Sequence, residues 1–394
     1  MGDITHLYII RHAEAEGNIY RRAHGHYNGF LMPNGVRQAN LLAGRFEGVA
    51  LDAVYASDLY RAHRTGLAVA GGLPVVTDPR LREMCLGPWE DRPWAWCGRE
   101  YPEQHHAFMH RLTDFHLQGA ETLRQTADRM EAAAREIIAR HRGGTAAIVS
   151  HGLSIRALLG RLLGVADEDI ESIHHVDNAS VTLVHVGPDG AAEAEYIGDS
   201  GYLGDLSTFS KQSWWKQTQE DLDIGLWFRP ADISREAQEL VGRQHKAWLR
   251  VYGGEKGFDA DAARENVRAM AEADPRGVQF VMDNDKTVGL LLLALHQSSD
   301  STGHMALVEL DENYCNQGLG IQPVGEAVSF YRARGRAALS LFVHQGNARA
   351  LRFYEKAGFL KTGEKQGSNG MLNIMGRSIL PDMELNGVRS LNGV

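Results

Sequence analysis

At 394 residues the chain is too long for one ordinary hydrophobic core, so two domains of roughly 150 to 200 residues each are expected. With 43% hydrophobic and 23% charged residues, 11 prolines and no low-complexity block, it has a globular composition, which excludes disorder except at the ends. The formal net charge of −9 without a basic run argues against a general nucleic-acid binder, and the three cysteines, Cys85, Cys97 and Cys315, form no CxxC pair that would support a disulfide framework or a zinc knuckle.

The opening MGDITHLYIIRHAEAEGN lacks a signal-peptide core, and the longest apolar stretch, Val288 to Leu295, is too short to cross a bilayer, so a cytoplasmic protein is expected. Within that opening, HLYII has the apolar continuity of a strand buried on both faces. Asn34 and Gly35 introduce a helix through Phe46, LDAVYAS reads as a strand and Leu59 to Ala70 as a helix. After a loop-rich stretch full of Trp and His come a long helix from Glu121 to His141, the strand TAAIVS and a helix from Leu153 to Leu163. This alternation predicts an α/β domain over residues 1–199 with a doubly wound, mainly parallel sheet.

Periodicity fades over residues 200–225, which read as a linker whose Trp214 and Trp215 dock onto a domain. Beyond it, LWFRPAD reads as a strand, followed by helices from Arg235 to Val251 and from Asp259 to Ala273. VQFVM and TVGLLLLAL flank a polar turn from Asp283 to Lys286, and HMALVEL adds a strand before the Gly-rich NQGLG. A helix through Arg334, the strand ALSLFV, a short helix from Ala350 to Ala357 and a strand from Met371 to Met375 complete a second, mixed α/β domain over residues 226–380, with a tail at 381–394. The halves share no repeat, so the chain reads as a fusion of unlike domains.

Three strand ends carry the chemistry of the first half. HLYII runs into Arg11 and His12, LDAVYAS ends at Ser57 and Asp58 with Arg61 just after, and TAAIVS ends in His151 and Gly152. Open parallel sheets place ligand sites outside the carboxyl ends of their strands. A neutral imidazole can attack phosphorus there while guanidinium groups hold the equatorial oxygens and balance their growing charge. His12 is the better nucleophile because Arg11 keeps it unprotonated, and Glu83 in LREMCLGPWED is best placed to protonate a leaving alkoxide and then to activate water. His106 and His110 have the helical spacing of a metal pair but no carboxylate or third ligand, so no metal is expected and they read as lid residues or a solvated face.

The segments RHAEAEGN, SDLYRAHRTG, LREMCLGPWE, GAETLRQTADRM and SHGLSIRALL resemble the successive motifs of the histidine phosphatase, or phosphoglycerate mutase-like, superfamily. The resemblance implies a phosphate pocket of Arg11, His12, Arg61 and His151, with Asn18 and Gly152 as further phosphate contacts, Glu83 as proton donor and no cofactor in this domain. Ala13 and Ala15 stand where Gly and Thr are common, which leaves every charged role filled. Mutases share these residues. The short segment from Asp91 to Gly119, with Trp94, Trp96, His105, His106, His110 and His116, resembles the small phosphatases more than the glycolytic mutases, so hydrolysis is expected.

In the second half, Gln317, Gly318, Leu319 and Gly320 follow a strand and precede a helix, so successive N–H groups can hold a pyrophosphate, or form a plain cap or turn. Together with VHQGNARALRFYEKAGFLKTGE, the segment ENYCNQGLG resembles the acetyl-CoA-binding core of the GNAT acetyltransferase superfamily, over residues 226–379. The resemblance implies acetyl-CoA as cofactor, bound by the amides from Gln317 to Ile321, with Asn347 beside the pantetheine arm and Tyr354 protonating the leaving thiolate. The amine must lose a proton, and Glu309 is the candidate base, directly or through water, or else a bulge residue satisfying backbone groups. Cys315 stands where the family usually has Arg or Gln, which puts one coenzyme contact in doubt, and it reads as a reactive thiol or a small buried filler.

The expected whole is a bifunctional enzyme that hydrolyses a small phosphorylated metabolite and N-acetylates a small amine, with both steps serving one pathway on a phosphorylated amine or amino sugar. Neither nucleic acid nor membrane is an expected partner, and a homodimer is compatible with the sequence. Two rivals stand beside this reading: a phosphatase with a degenerate acetyl-CoA sensor or interaction domain, and a mutase fused to a working acetyltransferase.

Overall fold

The computed structural model describes residues 4–211 and 225–380, and the chain divides into two units, 1–225 and 226–394. The first runs β1 (Thr5–Arg11), α1 (Glu16–Tyr20), α2 (Pro33–Arg45), β2 (Ala53–Ala56), α3 (Tyr60–Val69), β3 (Val75–Thr77), α4 (Trp94–Glu100), α5 (Pro102–His110), α6 (Leu123–Arg140), β4 (Thr145–Ser150), α7 (Gly152–Leu163), β5 (Val181–Val186), β6 (Ala192–Asp199) and α8 (Thr208–Lys211). Its sheet has the order β3-β2-β4-β1-β5-β6, parallel from β3 to β1 and antiparallel at β5 and β6.

β1 lies between β4 and β5, which explains its unbroken apolar run: Leu7 and Ile9 pack into a core with Trp89 and Phe115, while Ile10 enters the core of Leu42, Phe46 and Val54. The long helix α6 begins where Thr122 caps it, with Gln125 completing a capping box. The stretch read as loop-rich contains α4 and α5, whose Trp94 and Phe108 rings pack on the buried Trp89 at centroid distances of 6.1 and 5.7 Å. Their short length and dense aromatics mask helical periodicity.

Residues 201–211, read as the start of a linker, instead fold onto the first unit. A 3-10 segment Gly201–Leu206 leads into α8, and Gln38 Nε2 donates to Leu206 O at 2.8 Å and to Thr208 Oγ1 at 2.9 Å. Thr208 Oγ1 donates to Glu14 Oε2 at 2.9 Å, and Ser207 Oγ to Asp177 Oδ2 at 2.6 Å. Glu14 and Asp177 are buried carboxylates that need donors, and a polar segment provides them. Trp214, Trp215 and the tail from residue 381 lie outside the described residues.

The second unit runs β7 (Trp227–Pro230), α9 (Ile233–Tyr252), α10 (Ala260–Ala273), β8 (Val278–Asp283), β9 (Lys286–Leu293), β10 (Thr302–Leu310), α11 (Ile321–Arg332), β11 (Ala338–His344), α12 (Ala348–Lys356), β12 (Leu360–Gly367) and β13 (Gly370–Ser378). Asp232 and Asp259 cap α9 and α10 through their side chains. The sheet order is β12-β13-β11-β10-β9-β8-β7, antiparallel throughout except for the parallel pair β10 and β11. That pair is in register only at Thr302–Ala338, Gly303–Leu339 and His304–Ser340, so the two strands part beyond His304. The final strand is wider than expected and has a hairpin partner, β12, whose largely exposed polar residues give no apolar signal. Among the described residues no helix is long and apolar enough to cross a membrane.

Candidate active sites

Because β1 and β4 are hydrogen-bonded neighbours, the residues that follow them, His12 and His151, leave the sheet side by side with ring centroids 5.1 Å apart. His12 Nδ1 lies 2.8 Å from the Ala13 carbonyl oxygen, which can only accept, so Nδ1 carries the proton and Nε2 keeps its lone pair. Burial first, then the charges of Arg61 and Arg11, hold His12 well below the ordinary histidine value. His151 is lowered in the same way by burial and Arg61, and both of its ring nitrogens are buried without a partner among the described residues.

Arg11 donates from Nη1 to Val176 O at 2.5 Å, while its buried Nε is unpartnered among the described residues. Its guanidinium lies against the start of α7, where a Cβ on Gly152 would come within 3.3 Å of Arg11 Cζ. A side chain at this position would make that approach tight. Arg61, 2% exposed, donates to the carbonyls of Tyr27 and Gly25 at 2.8 Å each and of His24 at 3.1 Å. Burial brings its pKa down to about 10, which leaves it cationic at neutral pH.

Glu83 reaches the N-terminus of α7. Its Oε1 accepts from Ser154 N at 2.9 Å and Met84 N at 3.0 Å and lies 3.1 Å from Ser154 Oγ, and its Oε2 accepts from Leu153 N at 3.1 Å. Asn18 Oδ1 accepts from Ala15 N at 3.0 Å and from Asn178 Nδ2 at 3.3 Å. Asn178 Nδ2 also donates to His12 O at 3.0 Å, so it fixes the backbone of the candidate nucleophile. Sequence reasoning missed Asn178 and Ser154. Only the third residue of a helix that starts at a strand end hints at Ser154, and nothing local hints at Asn178. His106 and His110 lie with ring centroids 4.7 Å apart at a tilt of 44°, and among the described residues no group of three or more His, Cys, Asp or Glu gathers as metal ligands.

Two neutral buried imidazoles make the fold acid-sensitive. The unfolded chain takes up a proton on each near pH 6.5 and the native state does not, so stability is lost as pH falls below that value. Denaturant unfolding at pH 7.5 and 5.5 is expected to show a shallower acid loss for His151→Gln than for the wild type, by up to about 1.4 kcal/mol per pH unit. Equal slopes would contradict the assignment.

In the second unit, β10 leads through a 3-10 turn Glu312–Tyr314 to a loop with left-handed residues Asn316 (φ 62°) and Gly318 (φ 77°), and then to α11. The amides of Gln317, Gly318, Leu319, Gly320 and Ile321 donate to no acceptor among the described residues. Such a nest suits a pyrophosphate, and the gap where β10 and β11 part suits the extended arm of a coenzyme A thioester. Gly320 packs on the Phe353 ring of α12, the helix that carries Tyr354. Burial pushes the Tyr354 hydroxyl up, so it stays a phenol. Asn347 caps α12, its Oδ1 accepting from Ala350 N at 3.1 Å.

Glu309 is 2% exposed and lies in a cluster of cations from α9, with Arg243 Nη1 at 3.0 Å, Arg250 Nη2 at 3.8 Å and Lys246 Nζ at 4.0 Å. This pairing ties α9 to β10, while burial raises the Glu309 pKa against the pull of Arg243 and leaves Oε1 without a hydrogen-bond partner among the described residues. Cys315 is half-buried with its thiol 3.7 Å from Leu310 O, a structural contact at the end of the strand.

Residues 7–197 match the family model described as histidine phosphatase superfamily (branch 1), and residues 244–359 match that of the acetyltransferase (GNAT) family. The chain is 32% identical over 182 residues to phosphoserine phosphatase 1 of Hydrogenobacter thermophilus, covering 46% of this chain and 86% of that protein. It is also 32% identical over 161 residues to the probable phosphoglycerate mutase GpmB of Proteus mirabilis, covering 40% of this chain and 75% of that one. Among solved structures, YhfR of Bacillus stearothermophilus is 30% identical and aligns over 50% of this chain and 99% of its own, with a TM-score of 0.49.

Proposed function

The chain belongs to the histidine phosphatase superfamily through its first unit and carries a GNAT acetyltransferase domain in its second, and from that premise we propose that it hydrolyses small phosphomonoesters and acetylates a small amine. In the first reaction the Nε2 lone pair of His12 attacks phosphorus, and the ester P–O bond breaks as N–P forms. Arg11 and Arg61 hold the equatorial oxygens, while the unpartnered nitrogens of His151 and the start of α7 at Gly152 complete the phosphate cradle. Glu83 gives its proton to the leaving oxygen, then takes one from the water that breaks the N–P bond and releases phosphate. Asn18 serves through its link to Asn178 and the His12 backbone.

The observation that carries this reading is the neutral His12 with Nδ1 engaged, facing a second neutral imidazole and two buried guanidiniums. The fused unit supports an acyl acceptor chemistry in the same protein. There, acetyl-CoA would lie with its pyrophosphate on the amides from Gln317 to Ile321 and its arm between β10 and β11, beside Asn347. The amine would lose its proton to Glu309, directly or through water, as nitrogen bonds to the acetyl carbon and the carbon–sulfur bond breaks, and the Tyr354 phenol would protonate the departing thiolate. A phosphorylated amine or amino sugar would use both sites in one cytoplasmic pathway.

Incubation with a panel of phosphomonoesters, followed by phosphorus NMR, distinguishes the reactions. Hydrolysis is expected to give free phosphate, whereas phosphate that migrates between hydroxyls of one substrate would identify a mutase. For the second unit, calorimetric titration with acetyl-CoA is expected to show one site per chain, followed by turnover on at least one amine of a panel. Saturable binding without transfer to any amine would favour the sensor alternative.

A further inference from the structure

We propose that Arg129 and Glu121 are positioning residues that hold Glu83 at the phosphoryl site, an inference that rests on the assignment of Glu83 as proton donor. Glu83 lies on an irregular segment between the 3-10 turns Pro79–Leu81 and Gly87–Trp89, so no helix or strand ladder fixes its backbone. Arg129, on α6, does this instead. Its Nη1 donates to Arg80 O and Arg82 O at 2.7 Å each, and its Nη2 donates to Glu83 O at 2.9 Å. Its Nε and Nη2 also reach Glu121 at 2.7 and 2.8 Å, and Glu121 Oε2 accepts from Cys85 N at 2.8 Å. One guanidinium and its carboxylate therefore hold the main chain on both sides of Glu83.

The planar fork of arginine suits this task, because its donors keep a set spacing that a lysine ammonium cannot reproduce. The pair is mostly shielded from solvent, with side-chain exposures of 17% and 22%, so water and salt weaken it less than an exposed pair. At the other end Ser154 Oγ donates to Arg82 O at 2.8 Å, so the same segment is tied to both α6 and α7. Glu83 thus meets the N-terminus of α7 at a distance set from two sides. If the α6 tie loosens, the carboxyl group shifts while the phosphate-binding arginines stay in place.

This role has a signature that a merely stabilising ion pair lacks. Loss of proton donation slows substrates in proportion to how badly their leaving group needs the proton. p-Nitrophenyl phosphate expels a stable nitrophenolate, whereas phenyl phosphate expels a more basic phenolate. The full-length protein and its Glu83→Gln, Arg129→Met, Arg129→Lys and Glu121→Gln variants would be compared on both, with thermal melting as the check on folding. Glu83→Gln is expected to lower the phenyl-to-nitrophenyl ratio of kcat/KM by about 10²-fold, and Arg129→Met by about tenfold. Arg129→Lys should fall between wild type and Arg129→Met. The double variant Glu83→Gln with Arg129→Met should show no further change in ratio beyond Glu83→Gln alone. Should Arg129→Met fail to fold, Glu121→Gln, which leaves the three carbonyl bonds of Arg129 in place, carries the same comparison. If the Arg129 and Glu121 variants slow both substrates equally while Glu83→Gln remains selective, the positioning role is wrong and the proton donor stands. If Glu83→Gln is itself unselective, the assignment of the donor falls and the positioning role falls with it.

Discussion

Alanine at position 12 is expected to lower phosphomonoester turnover by about 10⁴-fold or more, the range seen when an enzyme loses its nucleophile. The fold should survive the change. The backbone at this position is held by bonds that do not involve the ring: His12 N donates to Ser150 O at 2.9 Å, and His12 O accepts from Asn178 Nδ2 at 3.0 Å and from Ala179 N at 3.2 Å. Removing a neutral imidazole leaves Arg11 and Arg61 able to bind phosphate, so affinity for inorganic phosphate should persist while turnover is lost. In the wild type, rapid quenching during turnover should trap phosphate on protein in an acid-labile, base-stable form, and the alanine variant should show none. Normal hydrolysis by His12→Ala would refute the covalent mechanism outright.

Gly35→Ala should be the most damaging conservative change in the first unit. In an exposed helix, glycine to alanine gains about 1 kcal/mol. Gly35 lies in α2, but a Cβ there would stand 2.0 Å from the carbonyl oxygen of Glu14, a backbone atom that cannot swing aside. Glu14 cannot retreat easily either, because its amide donates to Gln38 Oε1 at 2.7 Å and its carboxylate accepts from Asn34 at 3.1 Å and Thr208 at 2.9 Å. The expected cost is about 3 kcal/mol in the unfolding of this unit. Glu14 is two residues from His12, and a displacement near 1 Å costs on the order of 10²-fold in rate. Urea unfolding and turnover measured together test this, with acetyl-CoA binding by the second unit as the unaffected control. A stabilised variant with normal turnover would show that the clash is relieved without moving the loop.

Both expectations start from residues that are plain in the sequence, but they differ in how far the sequence carries them. The strand-end positions of Arg11, His12 and His151 follow from local pattern, because a parallel sheet brings the carboxyl ends of its strands to one edge. Glu83 followed from chemistry, as the acidic residue near that edge. Gly35 was visible only as the start of a helix, and its contact with Glu14 belongs to the packing of α2 against the loop after β1.

The segment 201–211 shows the opposite error. Its polar composition reads as a linker, yet its hydroxyl and carbonyl groups are the partners of Glu14, Asp177 and Gln38. Burial of a carboxylate creates a demand for donors that any part of the chain can meet, and composition cannot tell a solvated serine from one that meets such a demand. The surroundings of Glu309 were hidden for a related reason. Its place near the end of β10 was legible, but the three cations that cover it come from α9, some sixty residues earlier.

The two-domain class, the strand-end histidines and arginines and the Gly-rich loop ahead of α11 were legible in the sequence, since each depends on neighbours within a few positions. Only the tertiary structure decided what surrounds those groups. It assigned the neutral tautomer of His12, the unpartnered nitrogens of His151, the Arg129 hold on Glu83 and the covering of Glu309, because desolvation and hydrogen bonding between distant segments depend on distance in space rather than along the chain.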